Sequence, residues 1–385
     1  MTKPHPRHVA VIDGFRGIAA LGIALYHCWL LSGQPALGGG AVRDVLSAGF
    51  VAVTLFFVLS GFVLFLPVAR RGGSFGPIAP YARRRIARVV PAYYAVLALC
   101  LLAWPLLTTG EMGRRVTTES VLAHALFAQQ EARLLVGYDG ALGFGVDPVV
   151  WTLSLEALFY LVLPFVAGWF WRRPWTAVAL AVAVGVAGRV ALGDVAGAPG
   201  KSVLLSSFPL HLTDFAAGMA AALLYVRAPP VPAWVAGAAA AACSVVALAA
   251  LAAAGGADAG DVRDTVRGDA LLMALLPFAF AGAVLGMAWA PVALRRVLEA
   301  APARWLGTVS YGVFLAHYPL LLLARTTLDF DHDGSRAAFV ALAAFAVPAS
   351  LLAGWLSWIA IERPARRWAR RPRAAVAPVE VVETR

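Results

Sequence analysis

Two ionisable side chains, Arg16 and His27, interrupt the first long apolar stretch of the chain, AVIDGFRGIAALGIALYHCWLLS at residues 10–32. Their positions differ by eleven residues, or about three helical turns, so both side chains share one helix face roughly 16 Å apart. Ionisable groups inside a membrane span are costly and usually face the protein interior. This face is therefore our first candidate for a reaction path. The structural alternative is that Arg16 reaches back to the interface and His27 makes an interhelical hydrogen bond.

A carboxylate is predicted at the depth of His27. Glu156 lies in the stretch WTLSLEALFYLVLP, about seven residues, or roughly 10 Å, from the predicted outer face of its helix. An imidazole and a carboxylate at matching depth can pair, and the carboxylate then orients the ring and raises its basicity. The alternative is that Glu156 is a protonated acid in an interhelical hydrogen bond.

The densest basic cluster of the chain lies in PYARRRIARVVPAYY. Its members are Arg83, Arg84, Arg85 and Arg88. We expect a helix to begin near Pro91, and guanidinium groups at the cytoplasmic start of a helix suit an anion such as a nucleotide phosphate. The alternative is that the cluster only determines membrane topology.

Further polar residues fall inside apolar stretches. Ser60 and Tyr311 are candidate donors to an acyl oxyanion, as is a backbone amide. His317 either packs as a satisfied histidine or contacts substrate. Arg189 and Asp214 fall in the outer parts of adjacent spans, which favours a structural ion pair over contact with a polar acceptor.

The elements that must position these residues follow from composition. Hydrophobic residues make up 61% of the 385 residues and charged residues 14%, whereas a soluble protein has about half and a quarter. The chain is therefore predicted to be an all-α integral membrane protein. Windows of about twenty apolar residues predict about ten transmembrane helices. They are residues 14–32, 48–68, 89–108, 149–171, 174–193, 208–226, 231–254, 270–290, 305–324 and 337–361.

The distribution of basic residues predicts the orientation. With the N-terminus inside, 21 of the 32 Lys and Arg residues fall in cytoplasmic segments, which supports an even number of spans with both termini cytoplasmic. The net charge of +11 then reflects topology rather than nucleic-acid binding. We expect residues 1–367 to form the membrane domain and residues 368–385 a basic, disordered cytoplasmic tail. The charged stretch after Glu362, RPARRWARRPRAAV, is expected to lie against anionic lipid as an anchor.

Three regions complete the prediction. The first span has no usual signal-peptide cleavage site, so we expect it to remain in the mature protein. Residues 109–148 form the longest external segment, in which residues 120–136 are amphipathic and predict a surface or re-entrant helix. Cys28, Cys100 and Cys243 have no metal-ligand spacing, so we expect neither a disulfide nor a metal site.

Taken together, six blocks resemble acyltransferase family 3, a family of membrane-bound O-acyltransferases. They occur in family order from about residue 10 to residue 367. They are DGFRGIAALGIALYH with Arg16 and His27, FFVLSGFVL at 56–64, RRRIARVVPAYY at 83–94, WTLSLEALFYLVLP at 151–164, LGTVSYGVFLAHYPLL at 306–321 and IERPARR at 361–367.

The resemblance implies transfer of an acyl group, typically acetyl, from cytosolic acyl-coenzyme A to a hydroxyl. The acceptor would be a glycan, a glycolipid or a sugar-bearing metabolite such as a macrolide. It assigns Arg16, His27 and Glu156 to catalysis and the four arginines of the cluster to the coenzyme. A bacterial plasma membrane is the expected location. Relatives with an additional soluble domain carry it after the membrane part, and we expect this chain to rely on the membrane domain alone.

Two routes for the chemistry remain open. His27 either acts as general base on the acceptor hydroxyl or carries the acyl group transiently. A proton-coupled transporter, in which Arg16, His27 and Glu156 form a proton relay, is the main alternative function. A membrane scaffold is a third, and it leaves the alignment of Arg16 and His27 unexplained.

Overall fold

The protein is a bundle of long apolar helices. The computed structural model describes residues 9–37, 40–103, 117–136, 147–193, 201–229, 231–255 and 269–370. In the first half the helices are α1 Val11–Leu31, α2 Ala41–Ser47, α3 Ala52–Arg70, α4 Ile78–Leu102, α5 Thr118–Ala125, α6 Gln129–Val136, α7 Trp151–Arg172 and α8 Pro174–Gly193. In the second half they are α9 Lys201–Leu205, α10 Leu212–Arg227, α11 Ala233–Gly255, α12 Ala270–Trp289, α13 Val292–Glu299, α14 Ala301–Thr327, α15 Arg336–Ser357 and α16 Arg363–Arg370.

Nine of the described helices are long and apolar enough to cross a membrane. They agree with the predicted spans except that the seventh, α11, contributes only a shorter described apolar stretch, Ala233–Ala249. The chain is thus a multi-pass membrane protein with an all-helical membrane domain. Agreement is good because a run of about twenty apolar residues has few alternatives to a spanning helix.

The start of α4 differs from the prediction. The helix begins at Ile78 and passes through Pro91, so the arginine cluster lies on the side of the helix rather than before its first turn. Proline inside a membrane helix is tolerated because neighbouring groups satisfy the freed backbone carbonyl. The predicted use of a helix N-terminus for anion binding is therefore wrong at this position.

The end of the membrane domain also differs from the predicted boundary. A π-helical turn, Trp358–Glu362, follows α15 and leads directly into α16. Residues 368–370 of the predicted disordered tail therefore belong to α16, whereas residues 371–385 lie outside the described part of the chain.

Close packing between α1 and α14 places the two histidines together. A Cβ at Gly307 of α14 would collide with the backbone carbonyl of Asp13 in α1, so only glycine allows this approach. Further along both helices, His317 meets His27. The two helices are therefore parallel, which agrees with the predicted topology, in which both are odd-numbered spans.

Candidate active site

Two adjacent cavities follow the inward face of α1. The Arg16 cavity contains five of the ten site residues predicted from the sequence, namely Arg16, Ser60, Arg88, Glu156 and Tyr311. It is lined by Arg16, Val53, Phe56, Phe57, Ser60, Arg88, Val89, Thr152, Leu153, Glu156, Tyr160, Ser310, Tyr311 and Phe314. The His27 cavity is lined by Ile23, Tyr26, His27, Leu30, Phe50, Val53, Arg133, Pro148, Val149, Trp151, Thr152, Ser206, Phe314 and Tyr318. Because Val53, Thr152 and Phe314 line both, the cavities are neighbours separated by these three side chains.

Glu156 belongs to the Arg16 cavity and does not pair with His27. Its Oε1 accepts hydrogen bonds from Ser60 Oγ at 2.9 Å and from Tyr160 OH at 2.6 Å. Tyr160 is one helical turn beyond Glu156 on α7, and Ser60 comes from α3. The carboxylate is thus held by two hydroxyls in a cavity that also contains the guanidinium groups of Arg16 and Arg88.

His27 pairs with His317 instead. Nε2 of His317 lies 3.1 Å from Nδ1 of His27, and Nδ1 of His317 lies 2.7 Å from the carbonyl oxygen of Phe314. Because a carbonyl oxygen only accepts hydrogen bonds, Nδ1 of His317 is the donor in that contact. His317 is completely buried, which favours its neutral form.

This geometry determines the tautomer of His27. A neutral His317 that donates from Nδ1 carries its lone pair on Nε2, so it accepts a hydrogen bond from Nδ1–H of His27. The lone pair of a neutral His27 is then on Nε2. The Tyr318 ring makes an edge-to-face contact with the His27 ring, with centroids 5.1 Å apart and an interplanar angle of 89°, and this contact further restrains His27. His27 is therefore held in the form that a general base or an acyl carrier needs.

The four arginines of the basic cluster have different surroundings. Arg88 lines the Arg16 cavity, and Arg85 places its guanidinium 5.9 Å from the centre of the Tyr160 ring. Arg84 is exposed, and Arg83 is partly buried. Only the side of α4 that carries Arg85 and Arg88 thus faces the candidate site.

Sequence reasoning placed Arg366 in the lipid-anchoring stretch after Glu362 and gave it no part in the site, but Arg366 extends this basic region. Its Nη2 donates to Oε2 of the buried Glu362 at 2.9 Å, and its guanidinium lies 4.8 Å from the centre of the Trp358 ring. Arg366 lies near enough to Arg88 and Arg85 for their like charges to repel. The IERPARR block therefore brings a further cation to α4, and its i, i+4 spacing of Glu362 and Arg366 was a visible signal.

The two candidate oxyanion donors are already engaged. Ser60 donates to Glu156, and Tyr311 OH donates to the carbonyl oxygen of Val89 at 2.9 Å. Tyr311 therefore links α14 to α4 at Val89, the residue that follows Arg88. Both side chains line the Arg16 cavity.

Arg189 and Asp214 attract each other electrostatically, but the direct contacts given for the two side chains are with other groups. Asp214 Oδ2 lies 2.7 Å from Nδ1 of His211, and both side chains are buried. Arg189 donates to the carbonyl oxygens of Gly185 and Leu210. His211 lies three residues before Asp214 on the same helical segment, so bringing the two together loses less conformational entropy than bringing in a cation from the neighbouring helix. The histidine is therefore the favoured direct partner of the carboxylate.

Part of the long segment that we predicted to be external forms a wall of the His27 cavity. The helix α6 holds Arg133 there, 8% exposed, and burial lowers the pKa of its guanidinium from its usual value. Pro148 and Val149 come from the end of the same segment. The prediction of a surface or re-entrant helix over residues 120–136 did not identify Arg133 as a cavity residue, because most of the other lining residues come from distant parts of the chain.

Comparisons with known proteins point to one family. The family model described as an acyltransferase domain matches residues 9–358. Peptidoglycan O-acetyltransferase OatA from Listeria monocytogenes is 24% identical over 382 residues, which cover 95% of this chain and 57% of that protein. Nodulation protein 10 from Rhizobium leguminosarum is 32% identical over 188 residues, 46% of this chain and 48% of that protein.

A third relative is similar over a shorter region. O-acetyltransferase OatA from Staphylococcus aureus is 26% identical over 173 residues, which cover 44% of this chain and 26% of that protein. The aligned parts thus span between about a quarter and little more than half of these relatives. No solved structure matches the chain.

Proposed function

This chain belongs to acyltransferase family 3, whose acyltransferase domain model spans residues 9–358, and on that premise we propose that it is a membrane O-acyltransferase. The donor is cytosolic acyl-coenzyme A, most simply acetyl-coenzyme A. The acceptor is a hydroxyl of a glycan, a glycolipid or a sugar-bearing metabolite, reached from the outer side of a bacterial plasma membrane. The similar O-acetyltransferases support this class of reaction.

One observation carries the proposal. His27, with its tautomer held by His317, lies beside a second cavity that contains Arg16, Arg88 and Glu156. In our proposal the donor enters the Arg16 cavity and the acceptor enters the His27 cavity. Donor and acceptor then meet where Val53, Thr152 and Phe314 separate the two cavities.

The proposed transfer is balanced within this site. Nε2 of His27 takes the proton as the acceptor oxygen attacks the thioester carbonyl carbon, and the new C–O bond forms. The C–S bond then breaks, and the coenzyme leaves as a thiol with the proton that His27 returns. In the alternative route Nε2 attacks the thioester carbonyl carbon first, the C–S bond breaks, and the coenzyme leaves as a thiolate. The acceptor oxygen then attacks the acyl carbon, the C–N bond to Nε2 breaks, and the acceptor proton passes to the thiolate. Both routes use the same nitrogen.

The arginines that face the site are proposed to bind the coenzyme. Arg85 and Arg88 share one side of α4 with the Arg16 cavity, and Arg366 approaches them from α16. Guanidinium groups recognise phosphate through paired, charge-assisted hydrogen bonds. The part of the cluster that faces away, including Arg84, is then left as a determinant of topology.

Replacing two arginines of this cluster one at a time by alanine tests which of them binds the coenzyme. We expect Arg88→Ala to raise the KM for acetyl-coenzyme A about tenfold, since a hydrogen bond to a charged group is worth about 1.5–3 kcal/mol. Arg84→Ala, which removes an exposed guanidinium from the same helix, is the matched control and should stay within about twofold of wild type. Initial rates against donor concentration provide the measurement. A larger effect from Arg84 than from Arg88 would contradict the assignment.

The proposed function is tested by release of free coenzyme A thiol. Purified protein in lipid nanodiscs is given acetyl-coenzyme A and a panel of glycan fragments and macrolides, and the thiol is titrated over time. Acceptor-dependent release, with an acetylated product found by mass spectrometry, is the expected result. If no acceptor causes thiol release and reconstituted vesicles instead move a solute together with protons, the protein is a transporter and the enzyme proposal is overturned.

A further inference from the structure

A third cavity, the α4–α7 groove, lies between α4 and α7 beside the Arg16 cavity. Its walls include the apolar side chains of Ala82 and Ile86 on α4 and of Ala157 and Leu161 on α7. Ile86 is 53% exposed and Leu161 is 67% exposed. Since exposed apolar residues of a spanning helix face the hydrocarbon of the bilayer, the groove opens toward lipid. Its volume is about 270 Å³, against about 60 Å³ for the Arg16 cavity.

The groove adjoins the Arg16 cavity. Val89, Leu153, Glu156 and Tyr160 line both spaces and form the junction between them. Glu156 and Tyr160 are hydrogen-bonded to each other at this junction, whereas Val89 and Leu153 present apolar surface. Leu153 also follows directly after Thr152, which separates the two site cavities. An apolar path thus leads from the partition between those cavities into the groove.

Contacts between neighbouring elements hold both ends of the groove. At one end Tyr81 OH donates to the carbonyl oxygen of Tyr160 at 3.1 Å, which links α4 to α7. At the other end Phe127, from the connection between α5 and α6, stacks on Tyr93 of α4 with ring centroids 4.2 Å apart. Along α4 the groove extends from Tyr81 to Val90, a rise of about 14 Å. It is therefore a slot of defined length.

We propose that the α4–α7 groove binds the hydrocarbon chain of the acyl donor, so that the protein transfers acyl groups longer than acetyl. This inference rests on the proposed function, in which the thioester lies near the partition between the two site cavities. The Arg16 cavity, which also takes the pantetheine arm, has little room for a longer chain. The groove beyond Val89 and Leu153 is the adjoining apolar space.

The basic residues support a donor chain as the occupant. In the proposed function Arg85 and Arg88 bind the coenzyme, and they line the two spaces, Arg85 the groove and Arg88 the Arg16 cavity. One acyl-coenzyme A molecule can therefore contact both. A membrane lipid chain could enter the groove from the bilayer, but it would have no use for the junction with the Arg16 cavity.

Donors of different chain length provide the first test. Acetyl-, butyryl- and octanoyl-coenzyme A are given to the full-length protein in nanodiscs, with an acceptor that supports thiol release from acetyl-coenzyme A. Thiol release then gives kcat/KM for each donor. We expect octanoyl-coenzyme A to exceed acetyl-coenzyme A at least about tenfold, because each methylene that leaves water for an apolar site strengthens binding. A value no higher than that of acetyl-coenzyme A would overturn the inference.

Filling the groove tests whether it holds the chain. Ala157→Phe places a ring among the lining side chains, so the ratio of octanoyl to acetyl kcat/KM should fall to about one or below. Ala353→Phe is the matched control, because Ala353 is also a partly buried alanine and lines a separate apolar groove between α4, α14 and α15. It should leave the ratio unchanged. If Ala157→Phe cannot be purified, Ala82→Phe on the opposite wall takes its place. A wild-type ratio in the variant with the filled groove would contradict the proposal.

A photoreactive donor distinguishes the acyl chain from a lipid chain. Octanoyl-coenzyme A with a diazirine near the end of its chain is irradiated with the protein in nanodiscs, and labelled peptides are identified by mass spectrometry. We expect labelling within residues 82–90 or 153–161, and excess coenzyme A should suppress it. Equal labelling by octanoic acid with the same diazirine, unaffected by coenzyme A, would make the groove a site for lipid chains and overturn the inference.

The outcomes separate this inference from the proposed function. Release from acetyl-coenzyme A without any gain from longer chains leaves acyl transfer established and removes only the proposed chain site. Absence of acceptor-dependent release with every donor and acceptor would instead count against the proposed function. The labelling experiment needs no acceptor, so it reports on the groove in either case.

Discussion

Replacing His27 by Ala is expected to lower kcat for acyl transfer about 10²- to 10⁴-fold, the range that a general base contributes. The reason is that the alanine variant lacks the imidazole that, in our proposal, takes the acceptor proton or carries the acyl group. The KM for acetyl-coenzyme A should change little, because the proposed coenzyme contacts are on α4 and α16. The measurement is thiol release at saturating donor and acceptor, with kcat and KM determined separately.

A matched histidine controls for this substitution. His332 is exposed in the segment that precedes α15, and His332→Ala should retain wild-type kinetics. Both variants must elute as the wild-type protein does in size-exclusion chromatography, so that a loss of rate reports on the reaction. A kcat for His27→Ala within about threefold of wild type would remove His27 from the mechanism.

The span pattern and the inward face of α1 were predictable because each depends only on residues close together in the sequence. Arg16 and His27 share a face simply because of the helical period, and each lines one of the two cavities. The sequence shows the glycines that let α14 approach α1, but it does not show which helix they pack against. Gly307 allows contact with Asp13 only after the two helices are known to be neighbours.

The pairing of Glu156 with His27 could not be predicted reliably because depth was counted along two separate helices. An error of a few residues in a span boundary moves a side chain by about 1.5 Å per residue. Glu156 in fact shares a cavity with Arg16, and its hydroxyl partners are on its own helix and on α3. Tyr160, at i+4 from Glu156, was the one partner that the sequence offered directly.

The role of His317 depended on information that one sequence does not contain. A lone histidine in an apolar helix is satisfied in many ways, and both packing and substrate contact remained open. In the structure the carbonyl oxygen of Phe314 accepts the hydrogen bond from Nδ1 of His317, and Nε2 of His317 then accepts the one from Nδ1 of His27. This order, rather than the residue type, determines which nitrogen of His27 carries the lone pair.

The second large effect is expected at His317. Changing it to Leu removes the acceptor of the His27 Nδ1–H bond, so the ring loses both its fixed tautomer and its fixed orientation. We expect kcat to fall about 10²-fold, at the lower end of what an oriented general base contributes. Since His317 is completely buried, leucine fills its place without exposing a polar group, and the protein should remain folded. Thiol release at saturating substrates is again the measurement.

His317→Gln separates positioning from packing. A glutamine side chain can place its carbonyl oxygen where Nε2 of His317 accepts the hydrogen bond, so it should recover most of the rate lost in His317→Leu. A role in packing alone predicts the opposite order, because the polar amide would be the less favourable replacement in an apolar helix interface. Equal rates for the two variants would likewise mean that the bond between the rings does not hold His27 for the reaction. Recovery by glutamine, with an unchanged KM for acetyl-coenzyme A, would assign His317 to the orientation of His27 rather than to the binding of either substrate.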